Sequence, residues 1–167
     1  DEKVTGELGG LKVTADDGSD LTADDIAISG NLITIKSGKA MTVTGTSTTA
    51  TIAIAAGVKA NLTLNNVSIT NAAVSPLNVI ENPTGETTTL HLTLADGSDN
   101  TLNSSSASSN VAALHVTYGA ALTIDDSIHN PVDVYGGRLT EACSINGKTY
   151  KAGEPSWVMD SKTPGSL

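Results

Sequence analysis

Residues 61–69 decide the fold class, and they read Asn-Leu-Thr-Leu-Asn-Asn-Val-Ser-Ile. Leu62 and Leu64 alternate with polar residues on one side of the Asn-Asn pair, and Val67 and Ile69 do so on the other. Successive side chains of a strand point to opposite faces, so this pattern predicts strands with one buried and one exposed face. Similar short segments of alternating apolar and polar residues, here called bursts, recur from about residue 24 to residue 134 and are separated mostly by Gly, Asn, Asp or Pro.

The bursts recur in two series along the chain. The first series has steps of 29, 30 and 30 residues, and the second has steps of 25 and 37. Their first residues are Ile33, Leu62, Leu92 and Leu122 in one series, and Ile52, Leu77 and Leu114 in the other. Three short strands per repeat predict an all-β, single-stranded right-handed parallel β-helix, a β-solenoid of four or five coils with capped ends. The alternative is an antiparallel β-sandwich, but the absence of Phe and the recurrence favour the solenoid.

Composition and charge exclude several classes of partner. Eighteen acidic residues against nine basic ones give a formal net charge of -9, so we expect no nucleic-acid partner. A single Cys excludes an internal disulfide and a cysteine zinc site. No run of about 18 apolar residues is present, so we expect no membrane insertion.

The 167 residues match the size of one domain, with distinct ends. We predict an acidic N-terminal cap at 1–25, a β-helix body at 26–135, a C-terminal cap with a hairpin at 136–160 and a flexible tail at 161–167. The chain opens with Asp-Glu-Lys, so any signal peptide has been removed or never existed. The Thr-, Ser- and Asn-rich composition is typical of secreted or cell-surface proteins of bacteria, and we expect that location.

Residues 51–125 resemble a known group of bacterial modules. The resemblance rests on three segments. They are Thr-Ile-Ala-Ile-Ala-Ala-Gly-Val at 51–58, the stretch 61–69 quoted above, and Gly-Ala-Ala-Leu-Thr-Ile at 119–124. They are similar to the right-handed parallel β-helix, pectate-lyase-like modules of secreted and surface proteins of gut anaerobic bacteria. Such modules are often described as carbohydrate-binding, so the resemblance implies a β-helix and, more weakly, glycan binding.

Glycans need hydrogen-bonding arrays of amide and hydroxyl groups, usually beside an aromatic platform. Outward positions of the predicted strands supply the polar groups, and the few aromatic residues supply the platforms. The predicted ligand-binding residues are Asn65, Asn78, His91, His115, Tyr118, Tyr135 and Trp157.

Two strings of the sequence share the motif Asp-Gly-Ser-Asp. They supply hard oxygen ligands of the type that calcium prefers, although neither matches an EF-hand loop. The candidate calcium ligands are Asp16, Asp17, Asp20, Asp96 and Asp99. The alternative interpretation is a pair of tight turns, in which Asp accepts local backbone hydrogen bonds. No other cofactor is expected.

These features predict a non-catalytic extracellular module that binds a polysaccharide or cell-surface glycan, or is adhesive. The alternative is a structural spacer with no ligand of its own. A polysaccharide lyase or hydrolase is the third hypothesis, and it would use Asp125, Asp126 or Arg138.

Overall fold

The computed structural model describes residues 1–104 and 111–125, together with the backbone of three further strands between residues 132 and 150. Within this part of the chain, no helix has the length and hydropathy needed to cross a membrane. The fifteen strands of the described part are β1 (Glu7–Leu8), β2 (Leu11–Ala15), β3 (Ile26–Ser29), β4 (Leu32–Ile35), β5 (Ala40–Ser47), β6 (Thr51–Ile54), β7 (Lys59–Asn71), β8 (Leu77–Val79), β9 (Thr89–Leu94), β10 (Asn100–Ser104), β11 (Leu114–Val116), β12 (Ala121–Asp125), β13 (Val132–Tyr135), β14 (Cys143–Ile145) and β15 (Lys148–Tyr150).

Ten of these strands form one sheet, here called the larger sheet. Its main order is β1-β2-β5-β7-β9-β12-β14-β15, with β10 beside β7 and β13 beside β10. Neighbours from β5 to β14 are parallel, whereas β1 with β2, β2 with β5 and β14 with β15 are antiparallel. β7 bends at Asn66, whose φ is 57°. Because of this bend, the first half of β7 pairs with β9 and the second half pairs with β10.

The remaining five described strands form the smaller sheet, in the order β11-β8-β6-β4-β3. β3 and β4 are antiparallel, and the other neighbours are parallel. β3 and β4 are joined by Gly30 and Asn31, a two-residue connection of the type that closes hairpins.

The prediction of a single right-handed parallel β-helix is wrong. The described strands form two mixed sheets that do not close into a solenoid, which is consistent with a β-sandwich. One reason is that 62–64 and 67–69, taken as separate strands, are one strand bent at Asn66. The other is that two-residue turns, Gly9-Gly10 and Gly30-Asn31, make antiparallel pairs near the N-terminus.

The predicted recurrence corresponds to neighbouring strands within each sheet. The second series is confirmed, because Ile52 pairs with Leu77 and Leu77 pairs with Leu114 in the smaller sheet. The first series is correct only where Leu62 pairs with Leu92. Ile33, the first member of that series, lies in the smaller sheet instead, and Leu122, the last member, pairs with Leu90.

Both sheets contribute to a single aliphatic core. The inward rows of the larger sheet and those of the smaller sheet belong to one buried cluster. Inward residues in register include Met41, Leu62, Leu92 and Ile124 on one side and Ile33, Ile52, Leu77 and Leu114 on the other. Alternate residues of β7, β9 and β12 are exposed or half-buried, whereas all four residues of β6 are buried. The predicted division into aliphatic inner and polar outer residues is therefore confirmed for β7, β9 and β12 but not for β6.

The two ends of the chain differ in pairing from the middle. Near the N-terminus, β1 and β2 extend the larger sheet beyond β5, and Lys3 forms a bridge with Thr22. Near the C-terminus, β14 and β15 pair antiparallel. The Asn-Gly turn predicted between them and the tail predicted at 161–167 lie outside the described residues.

Candidate functional site

The outer face of the smaller sheet carries a row of side chains that crosses all five strands in register. The row consists of Ala27, Thr34, Ala53, Asn78 and His115. Two residues predicted from the sequence, Asn78 and His115, are therefore direct neighbours on adjacent strands. Neighbouring strands lie about 4.8 Å apart, so one ligand can contact both side chains.

Asn78 offers a hydrogen-bond acceptor to a ligand. Its Nδ2 donates to the backbone oxygen of Ser75 at 2.9 Å and to Oγ1 of Thr51 at 3.3 Å. These bonds occupy both amide protons inside the protein. The side-chain carbonyl oxygen is the atom that remains for a ligand, and the internal bonds fix the direction of the amide.

His115 offers both a donor and an acceptor. The side chain is half-buried, and burial lowers the pKa of the imidazole below its usual value of 6.5. The ring is therefore neutral at pH 7, so one ring nitrogen donates and the other accepts. A sugar hydroxyl also both donates and accepts, and it matches a neutral imidazole in either direction.

Just beyond β8 and β11, the chain places an exposed aromatic ring next to polar groups. Thr117 donates from its backbone nitrogen to the oxygen of Val79 at 3.1 Å, and its Oγ1 accepts a hydrogen bond from the backbone nitrogen of Glu81. Tyr118 follows directly and is 75% exposed, more than the other exposed large hydrophobic residues of the described part. Ile80, 40% exposed, precedes Glu81. Glu81 and Tyr118 are therefore both direct neighbours of Thr117, Glu81 through a hydrogen bond and Tyr118 along the chain.

These residues lie on two paired strands and on the segments that directly follow them, and they are here called the Tyr118 cluster. Its members are Asn78, Ile80, Glu81, His115, Thr117 and Tyr118. A pyranose ring has an apolar face of C–H groups and a rim of hydroxyls. A tyrosine ring matches the apolar face, and the carboxylate, imidazole and hydroxyl groups match the rim. The arrangement is suited to binding a sugar at the protein surface.

The outer face of the larger sheet is different, because threonine dominates its central row. The residues in register along this row are Thr14, Thr42, Thr63, Thr93 and Asp125. His91 lies in the adjacent row, and its Nε2 is 3.8 Å from Oδ2 of Asp125, with both side chains at least half exposed. The described part of this face has no aromatic side chain in these rows.

Asn65 also belongs to the larger sheet, at the bend of β7. Its Oδ1 accepts a hydrogen bond of 3.1 Å from Nδ2 of Asn66. The ligand-binding residues predicted from the sequence are therefore divided between the two sheets. Asn78, His115 and Tyr118 lie together at the smaller sheet, whereas Asn65 and His91 lie on the larger one.

The side chains of two predicted aromatic platforms, Tyr135 and Trp157, are not among the described residues. Tyr135 ends β13, of which only the backbone is described. Trp157 lies outside the described residues, as do Asp126 and Arg138 of the enzyme hypothesis.

The first Asp-Gly-Ser-Asp string, near the N-terminus, forms a turn after β2. Asp17 Oδ1 accepts a hydrogen bond of 2.9 Å from the Ser19 backbone, and bonds from Ser19 lower the pKa of this carboxyl. Asp16 accepts from the Thr42 hydroxyl at 2.6 Å, and Asp20 forms an ion pair of 2.7 Å with Lys3. Each of the three carboxylates therefore has its own protein partner.

The second string forms a turn between β9 and β10. The backbone nitrogen of Ser98 donates to the oxygen of Ala95 at 3.0 Å, and that of Asp99 donates to Oδ1 of Asn66. Asp96 lies at the beginning of this turn. Both strings therefore form turns, and in the first string Asp17 accepts a local backbone hydrogen bond, as the turn interpretation requires. Among the described residues, no group of three or more His, Cys, Asp or Glu side chains is placed to hold a metal ion.

Sequence reasoning missed three members of the Tyr118 cluster, namely Ile80, Glu81 and Thr117. A signal for them was present in the second series of bursts, which correctly pairs 77–79 with 114–116. Extending that pairing by one or two residues brings Ile80 and Glu81 next to Thr117 and Tyr118. The Asn-Pro pair at 82–83 had indicated only a separator between strands.

Comparison with known proteins supports a role in carbohydrate recognition. A family model described as carbohydrate-binding domain-containing protein matches residues 29–129, which is about three fifths of the chain. The match includes the whole Tyr118 cluster. It supports the carbohydrate-binding part of the resemblance but not its β-helix or pectate-lyase-like part. No curated protein and no solved structure matches the chain. By the family match, the chain belongs to the carbohydrate-binding domain-containing proteins.

Proposed function

We propose that this protein is a non-catalytic module that binds a polysaccharide or cell-surface glycan through the Tyr118 cluster. The observation that carries the proposal is the 75% exposure of Tyr118, which lies three residues beyond His115, the last member of an outward row that also contains Asn78. An exposed ring leaves apolar area in contact with water, at about 25 cal/mol per Å². A sugar stacked on the ring removes that area from water, and the polar neighbours meet its hydroxyls.

The polar groups of the cluster are held in place before a ligand arrives. Asn78 is fixed by bonds to Ser75 and Thr51, and Glu81 is fixed through its backbone to Thr117. Groups that are already oriented lose little conformational freedom on binding, which favours affinity. Tyr118 is exposed rather than enclosed, so the site suits an extended chain that passes over the surface better than a small molecule enclosed in a pocket.

The cellular setting is also part of the proposal. The composition rich in Thr, Ser and Asn, together with the resemblance to surface modules, supports a secreted or bacterial cell-surface location and a role in adhesion. A calcium requirement through Asp16, Asp17, Asp20, Asp96 and Asp99 stays a prediction, and the binding assay tests it.

A structural spacer is the second candidate, and the larger sheet favours it. Its outer row of four threonines in register is uniformly polar and lacks an aromatic residue in the described part. Such a surface needs no ligand to be stable in water. The two candidates differ in whether the Tyr118 cluster contacts a glycan.

The test is a glycan array probed with the purified protein, once with calcium and once with a chelator. We expect binding to one class of polysaccharide, loss of binding in Tyr118→Ala, and retention in the matched variant Tyr118→Phe, which keeps the ring. Truncating a central aromatic contact costs about 2 kcal/mol, which is roughly a 30-fold rise in Kd. A blank array under both conditions would favour the spacer. Release of reducing ends from the bound polysaccharide would favour an enzyme.

A further inference from the structure

The chain between β8 and β9 crosses from the smaller sheet to the larger one through residues 80–88. Most of this loop is exposed, including Glu81 and Glu86. Its last residue, Thr88, is fully buried, and its Oγ1 accepts a hydrogen bond of 2.8 Å from the backbone nitrogen of Gly57. The loop therefore begins at the Tyr118 cluster and is anchored at its far end on the turn after β6.

Asn82 holds the middle of this loop. Its Nδ2 donates to the backbone oxygen of Glu86 at 3.0 Å, which closes the loop on itself. A Cβ built on Gly57 would lie 2.8 Å from this nitrogen, and one built on Gly85 would lie 2.7 Å from it. The amide of Asn82 thus packs against two glycines, and a side chain at either position would displace it.

Asn82 is the direct neighbour of Glu81, so the two anchors act on the same residue. On one side, the backbone nitrogen of Glu81 donates to Thr117 Oγ1. On the other side, Asn82 is fixed by Glu86, Gly57 and Gly85. The ion pair between Lys59 and Glu86 is 3.3 Å long and exposed. It adds little to the stability of the loop, because both side chains are well solvated.

We infer that Asn82 is a positioning residue of the glycan site, which fixes Glu81 next to Thr117 through its contacts with Glu86, Gly57 and Gly85. This inference rests on the proposed function of the Tyr118 cluster. Asn82 itself acts through Glu81 and does not touch the sugar. Its removal leaves the carboxylate present but free to sample other directions, so affinity falls while the fold is retained.

The experiment measures Kd by affinity electrophoresis in gels containing xylan, galactomannan, hydroxyethyl cellulose, pectin or mucin. The polysaccharide that retards the parent protein most is then used for the variants. Asn82→Asp removes the donor without changing the size of the side chain, and we expect about a tenfold rise in Kd. Gly57→Ala should give a similar rise. The matched control is Gly18→Ala, because Gly18 has a similar φ of 74° against 79° but open space around it.

A double-mutant cycle separates positioning from general destabilisation. If Asn82 acts through Glu81, then Asn82→Asp adds no further loss in a Glu81→Ala background. Additive effects of the two changes would overturn the inference, as would an unchanged Kd in both Asn82→Asp and Asn82→Ala. Absence of binding by the parent protein would overturn the proposed function and this inference together. Binding that depends on Tyr118 and not on Asn82 would overturn this inference alone.

Discussion

Replacing Asp25 with asparagine tests a buried polar contact between the N-terminal segment and the rest of the described protein. Asp25 is only 6% exposed. Its Oδ2 accepts from Lys39 Nζ at 2.8 Å and from the Thr22 backbone at 3.0 Å, and its Oδ1 accepts from the Ser37 hydroxyl at 2.9 Å. One carboxylate therefore joins residue 22 to the turn that precedes β5.

The size of the effect follows from the pKa of Asp25. The hydrogen bond from Lys39 is the largest cause that lowers this pKa, from 3.8 to about 2, and bonds from Thr22 and Ser37 act in the same direction. At about 1.4 kcal/mol per pKa unit, ionisation of Asp25 stabilises the folded state by about 2.5 kcal/mol. The asparagine side chain would also turn an amide toward groups that donate. We expect Asp25→Asn to lower the free energy of unfolding by about 2 to 3 kcal/mol at pH 7.

Urea unfolding of the parent protein and Asp25→Asn at a series of pH values checks this prediction. Because the folded pKa is depressed, the stabilisation is fully present above pH 4 and is lost as the pH falls through about 2. The difference in the free energy of unfolding between the two proteins should therefore become smaller over that range. Asp24→Asn is the matched control, because Asp24 is exposed, and it should change stability by less than about 0.5 kcal/mol. A gap below about 0.5 kcal/mol at pH 7, or one that is independent of pH, would refute the reasoning.

Three further perturbations test the core, the close approach of β2 to β5 at Gly45 and the outer row of the smaller sheet. Leu64→Ala removes a side chain that is 1% exposed and should cost about 2 to 5 kcal/mol in urea unfolding; a cost under about 1 kcal/mol would contradict the described core. Gly45→Ala should lower the melting temperature far more than Gly30→Ala, since its Cβ would lie 2.1 Å from the oxygen of Gly10 whereas Gly30 has open space. Equal melting temperatures for these two variants would contradict the close approach of β2 to β5. His115 has a depressed pKa, so its stabilising contribution is present above pH 6.5 and is lost as the pH falls below that value. His115→Gln should remove this component of the pH dependence, and an unchanged profile would argue against burial of the ring.

Alternation of apolar and polar residues was sufficient to predict the strands and their inward faces. In Leu-Thr-Leu at 62–64, the two leucines are buried and the threonine is half-buried, as a period of two requires. The same local rule placed Ile52, Leu77 and Leu114 in one series, and they are neighbours in the smaller sheet. These successes depend on local geometry, which each short segment of chain contains.

The number of sheets depended on contacts that no short segment contains. Asn66 adopts a positive φ and bends β7 without ending it, so two predicted strands became one. Two-residue turns at 9–10 and 30–31 introduced antiparallel partners into an arrangement expected to be wholly parallel. The sequence indicated a separator at 30–31 and no turn at 9–10, and the partner of each strand is selected by packing across the core.

For the candidate site, the sequence by itself determined which residue types face outward, including Asn78, His115 and His91. Only the tertiary structure decided that the first two share a row while His91 lies on the other sheet, because strands far apart in the chain become neighbours only through pairing. The same pairing brings Glu81 to Thr117, across 36 residues of chain. Local periodicity determines the face on which a side chain lies, and long-range packing determines which side chains lie beside it.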